Sequence, residues 1–158
     1  MIYRPLPYII GDIVGDLAFY DYGVPNEIVN KLKLKSDATT KYPLIWYMID
    51  GSVKQEIKTK YIKCNVTIVI CNETSKDFSA KERYEKNFIP VLRPLYDGLM
   101  ARFSKSLLVR SPDQYPHTYY ENLFWGKDGL YGHTGNIFDD MLDAIIIENL
   151  QFFLINNC

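Results

Sequence analysis

The sequence predicts an α+β domain in which a few-stranded, mostly antiparallel sheet packs against a long kinked helix and an N-terminal helix. Three stretches carry that expectation. The run from Ala144 to Ile155 is β-branched on both faces at its start and aromatic further on, the pattern of a strand buried in mid-sheet. Between Tyr61 and Cys71, the set Ile62, Cys64, Val66, Ile68 and Ile70 is wholly apolar, while Tyr61, Lys63, Asn65 and Thr67 share the opposite face. Ser79-Ala80-Lys81-Glu82 forms a capping box ahead of Tyr84, Phe88, Val91, Leu92, Leu95, Leu99 and Phe103, which recur at helical spacing.

The remaining elements follow in chain order. Pro7 suits a first helical turn, and Ile10, Ile13, Val14 and Leu17 form one stripe up to about Ala18. A second helix is expected from about Asn26 to Leu34, although the alternation of Lys31-Leu32-Lys33-Leu34-Lys35 equally fits a short strand. Lys41-Tyr42-Pro43 opens a strand over Leu44–Ile49, stopped by Asp50-Gly51. Pro90 and Pro94 interrupt the long helix, which predicts a kink near Asn87 to Ile89 or two abutting helices. Tyr119 to Trp125 reads as another strand.

At 158 residues the chain makes one domain, 1–158, large enough to bury roughly 70% of its unfolded surface without a disulfide or metal. Its 13 tyrosines exceed what a core requires, which points to contact surface. Cys64, Cys71 and Cys158 form no paired framework and no metal spacing, in keeping with synthesis in a reducing compartment. Met1 to Tyr8 does not read as a cleaved leader, and no apolar run reaches membrane-spanning length, so no membrane partner is expected.

Chemistry has few candidate positions. The loop from Gly126 to Gly135 is glycine-rich but lacks the GxxxxGK[ST] order of a phosphate cradle, so it reads as a surface loop or as an arm that orders against a neighbouring subunit. His117 and His133 have no zinc-ligand spacing around them. Asp139, Asp140 and Asp143 do not follow an EF-hand loop, and acids before a strand commonly cap a turn. The expectation is no catalytic residue, no metal and no cofactor.

Several phrases are more specific. Tyr42-Pro43-Leu44-Ile45-Trp46, the stretch Arg83-Tyr84-Glu85-Lys86-Asn87-Phe88-Ile89-Pro90-Val91-Leu92-Arg93-Pro94-Leu95-Tyr96, Leu123-Phe124-Trp125-Gly126, and Asn136-Ile137-Phe138-Asp139-Asp140 with Asp143-Ala144-Ile145 and Asn149-Leu150 resemble small neck proteins of tailed phages that infect Bacteroidetes, crAss-like phages included. The likeness runs from about Lys41 to Leu154. It implies a tail-terminator-like fold, and a structural virion protein made in the bacterial host cytoplasm and found in the neck or tail. Such a subunit assembles into a sixfold or twelvefold ring beside portal, neck or tail proteins, with genomic DNA passing through the lumen without sequence-specific binding. A protein-binding adaptor is the alternative reading, and a small enzyme of unknown chemistry is another.

Charge supplies an expected interface for such a ring. From Ile28 to Lys63 eight lysines face three acids, and from Pro112 to Cys158 seven acids face Lys127 alone. Either these are two solvated faces, or the lysines of one subunit meet the acids of the next, as a head-to-tail contact requires. The expected interface residues are Lys33, Lys35, Lys58, Trp125, Leu130, Tyr131, Asp139, Asp140 and Asp143. A further possibility is that the lysines line the lumen.

Overall fold

A computed structural model of the chain describes residues 4–34, 41–125 and 140–155. Its elements are α1 (Leu6–Val14), β1 (Phe19–Gly23), α2 (Pro25–Lys33), β2 (Leu44–Met48), β3 (Gln55–Ile57), β4 (Tyr61–Glu73), α3 (Ala80–Arg83), a π-helical section (Tyr84–Leu92), α4 (Arg93–Lys105), β5 (Val109–Arg110), β6 (Thr118–Trp125) and β7 (Leu142–Ile155). The fold is α+β, a curled and mostly antiparallel sheet carrying an N-terminal helix and one long joined helix of 26 residues.

The two long apolar strands form its centre. β4 and β7 pair antiparallel along nearly their whole length. β2 and β3 divide the outer side of β4 between them, with β2 against Thr67 to Cys71 and β3 against Ile62 to Cys64. β6 and β5 divide β7 in the same way. The one parallel pairing is β1 with β2, bridged by α2 in a β-α-β crossover. That settles the ambiguous alternation at Lys31 to Lys35: through Lys33 the chain is helical, and Ile28 and Leu32 are its buried positions.

Two cores result, one on each face. On the first, α1 and the long helix cover Ile62, Cys64, Val66, Ile68, Ile70, Ile145, Ile147, Leu150, Phe152 and Leu154. On the second, α2 covers only part of the sheet, burying Ile28 and Leu32 against Leu44, Trp46, Val69, Cys71, Ala144 and Ile146. Cys64 and Cys71, seven residues apart, therefore sit in separate cores as free thiols. Burial pushes Cys64 up to about 11 and Cys71 up to about 12, so neither is a thiolate near neutral pH.

α1 ends at Val14, short of the expected Ala18. Gly15 takes a left-handed φ of 54° and its N–H returns to Gly11 O at 2.9 Å, closing the helix. Arg102 of α4 then donates to Val14 O (2.9 Å) and to Asp16 (2.8 Å), setting a cation at the helix C-terminus. Gly11 has a packing role: a Cβ there would lie 3.0 Å from the Tyr20 ring, whose hydroxyl donates to Pro7 O at 2.6 Å.

The capping box is present in full, with Ser79 accepting from Glu82 N and Glu82 accepting from Ser79 N. Where the prolines predicted a kink or a break, the helix changes winding instead. Tyr84 to Leu92 is π-helical, and the wider turn relieves the clash of a proline ring with the carbonyl four residues back. Phe88, Leu92, Leu99 and Phe103 are buried, whereas Val91 and Leu95 are half-buried. β7 and β6 each carry a bulge. Glu148 and Asn149 (φ 57°) together oppose Thr67, and Leu123 and Phe124 (φ 59°) together oppose Asp143.

Candidate functional site

The bulge in β6 faces the most buried charged side chain among the described residues. Asp143, at the start of β7, is fully buried. Its Oδ1 accepts from Arg83 Nη1 (3.0 Å) and from Phe124 N (2.9 Å), and its Oδ2 accepts from Asn87 Nδ2 (3.1 Å). Arg83 also donates to Ser75 O (2.9 Å) and lies 4.4 Å from the centre of the Phe124 ring. Asn87 in turn accepts from Asn72 Nδ2 at 2.8 Å. The capped start of the long helix is thus tied to β4, β6 and β7 by a charge pair whose two members are each further hydrogen-bonded.

A second cluster joins both covered edges of the second core. Lys41 is buried and donates to Asp140 Oδ2 (2.8 Å) and to Leu32 O (3.1 Å), while the Tyr42 hydroxyl donates to the same Asp140 oxygen (2.7 Å). Lys41 thereby ties the entry to β2, the last turn of α2 and the entry to β7 together.

Glu121, on edge strand β6, is the third. Arg93 grips it in a fork, Nε to Oε2 at 2.8 Å and Nη2 to Oε1 at 3.0 Å, and the hydroxyls of Tyr84 (2.9 Å) and Tyr119 (2.6 Å) donate to it as well. The Arg93 hydrogen bonds, with help from the two tyrosines, lower the Glu121 carboxyl to about 2. A carboxylate held below its unfolded value adds stability that is complete above the unfolded range near 4.5 and disappears as pH falls toward 2. Acid titration of the Glu121→Gln variant is therefore expected to show a shallower loss of stability between about pH 5 and pH 2 than the parent; parallel curves would contradict this assignment.

A cleft of about 550 Å³ separates α4 from the connection between β5 and β6, lined among others by Tyr96, Met100, Arg110, Ser111, Gln114 and His117. His117 Nδ1 faces Tyr115 O at 2.7 Å, so that nitrogen carries the proton and Nε2 accepts from the Tyr96 hydroxyl at 2.6 Å. Ser111 Oγ accepts from Tyr115 N. Both imidazole nitrogens are engaged, and no serine or cysteine of the described residues hydrogen-bonds to the ring.

A groove of about 450 Å³ opens on the second face of the sheet, where α2 stops covering it. Met48, Trp125 and Ile146 belong to its floor and Asp50 and Glu148 to its rim. Burial and the neighbouring Glu148 carboxylate hold the hydroxyl of Tyr120, also lining it, above its ordinary range.

Of the expected interface residues, Asp143 is corrected: its carboxylate is closed inside the subunit by Arg83 and Asn87 and presents nothing to a neighbour. Asp140 is turned to Lys41 and Tyr42, Lys58 pairs with Glu56 (2.8 Å), and Trp125 is buried against Trp46 with ring centres 5.6 Å apart. Lys33 is exposed. Lys35, Leu130, Tyr131 and Asp139, the expected glycine arm 126–135 and His133 lie outside the described residues. The charge split is thus partly cancelled within one subunit, through Lys41 with Asp140, Arg83 with Asp143 and Arg93 with Glu121. Sequence reasoning missed all three pairs because partners far apart in sequence leave no local pattern.

No family model matches the chain, and no curated protein matches it. Among the described residues, no three of His, Cys, Asp and Glu are grouped to hold a metal ion, and no helix is long and apolar enough to cross a membrane.

Proposed function

We propose that this protein is a structural subunit of a phage neck, assembling as a sixfold or twelvefold ring that joins portal or head to tail around the DNA channel. The observation that carries the reading is β6. This eight-residue strand pairs only with β7 among the described strands, contains no lysine or proline, and has its single charge, Glu121, occupied by Arg93 of its own subunit. Monomeric proteins usually blunt an edge of that length with lysine, proline, a bulge or a covering element, and here the bulge at Leu123 and Phe124 leaves Thr118 to Asn122 as a regular edge. A subunit that pairs through its edge has no such need.

The phrases that resemble Bacteroidetes phage neck proteins support the same reading. Exposed apolar side chains at Phe19, Leu34, Ile57, Ile89 and Leu107 add area that an assembly can bury. Lys54, Lys60 and Lys63 are exposed and form no ion pair among the described residues, which suits a sequence-independent face toward DNA phosphates. In this proposal no catalytic step is assigned.

Hydrogen exchange tests the edge. The β6 amides 118–122 are expected to exchange faster in dilute monomer than in concentrated, assembled protein, while those of β7 stay equally slow in both. Equal β6 rates across a concentration range that changes the oligomer would remove this strand from the contact.

A further inference from the structure

The groove beside α2 and a protruding turn elsewhere on the subunit have complementary chemistry. Between α4 and β5 the chain presents two adjacent leucines to solvent, Leu107 at 81% and Leu108 at 41% exposure. The turn is held in shape by Leu108 N donating to Ser106 Oγ at 3.1 Å and by the buried Val109 that follows. Exposed cations flank it, Lys105 before and Arg110 after. Arg4, Arg83, Arg93 and Arg102 each pair with a carboxylate, whereas among the described residues the one hydrogen bond of Arg110 is a long contact to Val109 O at 3.5 Å. Its guanidinium has a charge and donors to offer.

The groove on the second face offers the converse. Its apolar floor of Met48, Trp125 and Ile146 is rimmed by Asp50 and Glu148, neither of which forms an ion pair among the described residues. An apolar knob between two unpaired cations fits an apolar slot between two unpaired carboxylates. The knob does not reach the slot of its own subunit: β5 is fastened to Phe153 and Leu154 of β7, roughly 17–20 Å along the strand from Glu148 at 3.3 Å per residue.

We infer that the Leu107–Leu108 turn of one copy docks in the acid-rimmed groove of the next, with Arg110 and Lys105 meeting Glu148 and Asp50. The two surfaces are different parts of the molecule, so the contact is heterologous and repeats around an axis until it closes. The inference rests on the ring reading and names a contact within it. The leucines supply the buried area, and the four charges set register.

Sedimentation of the full chain tests it. Leu107→Asp and Glu148→Arg are each expected to weaken self-association at least thirtyfold, about the loss of one central interface residue. Because Leu107 lies in solvent in the subunit, the Tm of dilute Leu107→Asp protein should match the parent. The charge swap Arg110→Glu with Glu148→Arg is expected to recover most of the association that Glu148→Arg alone loses. If the parent assembles and these variants assemble equally well, or the swap recovers nothing, this contact is wrong and the ring reading stands. If the parent stays monomeric at every concentration, both fall together.

Discussion

Asp143→Ala is expected to destabilise the folded subunit by about 3–5 kcal/mol, because it leaves the buried Arg83 guanidinium and the Asn87 amide without their acceptor. For a domain of this size that is a fall in Tm of roughly 10 °C or more. Much of the loss is the uncompensated charge on Arg83, so the pair is not independent. Arg83→Ala combined with Asp143→Ala should cost distinctly less than the two single losses together. Urea unfolding of the four proteins measures this, and a loss below about 1 kcal/mol for Asp143→Ala would show that the cluster does not hold the helix start to the sheet.

The next largest effect is expected from the long helix. Leu99→Ala should cost about 2–5 kcal/mol, since Leu99 is fully buried in the core formed with Ile62, Val66 and Ile68. Leu95→Ala should cost clearly less. Leu95 packs against that core from a half-buried position, and its removal leaves a space that water or neighbours fill. Equal losses at the two positions would mean that the π-helical section does not place the stripe as described.

The same contrast shows what the sequence reveals and what it conceals. The alternation of Ile62 to Ile70, the apolar run from Ala144 and the Ser79–Glu82 box are local patterns, and each is found where expected as a strand or helix start. The prolines were legible as an interruption, but whether a helix breaks or widens at them depends on the packing of Phe88 and Leu92. Short strands escaped notice: β3 and β5 have three and two residues, too few to show a period, and β1, as long as β2, is half-buried or exposed up to Gly23 and so carries no apolar run. The charge pattern misled for a different reason. Asp143 lies in a run of acids that reads as a solvated turn, and its burial follows from a bulge at Phe124 and an arginine sixty residues earlier. Glu121 and Asp140 likewise meet their cations only through the fold. What survives of the acidic end for contact between subunits, among the described residues, is Asp113 and Glu148.

Assembly is the central claim, and negative-stain imaging of the purified chain at high concentration, with native mass spectrometry of the same sample, tests it most directly. The account predicts closed rings of six or twelve copies with a central opening. A monomer whose Tm rises with a small-molecule ligand, or a twofold dimer with no opening, would contradict it.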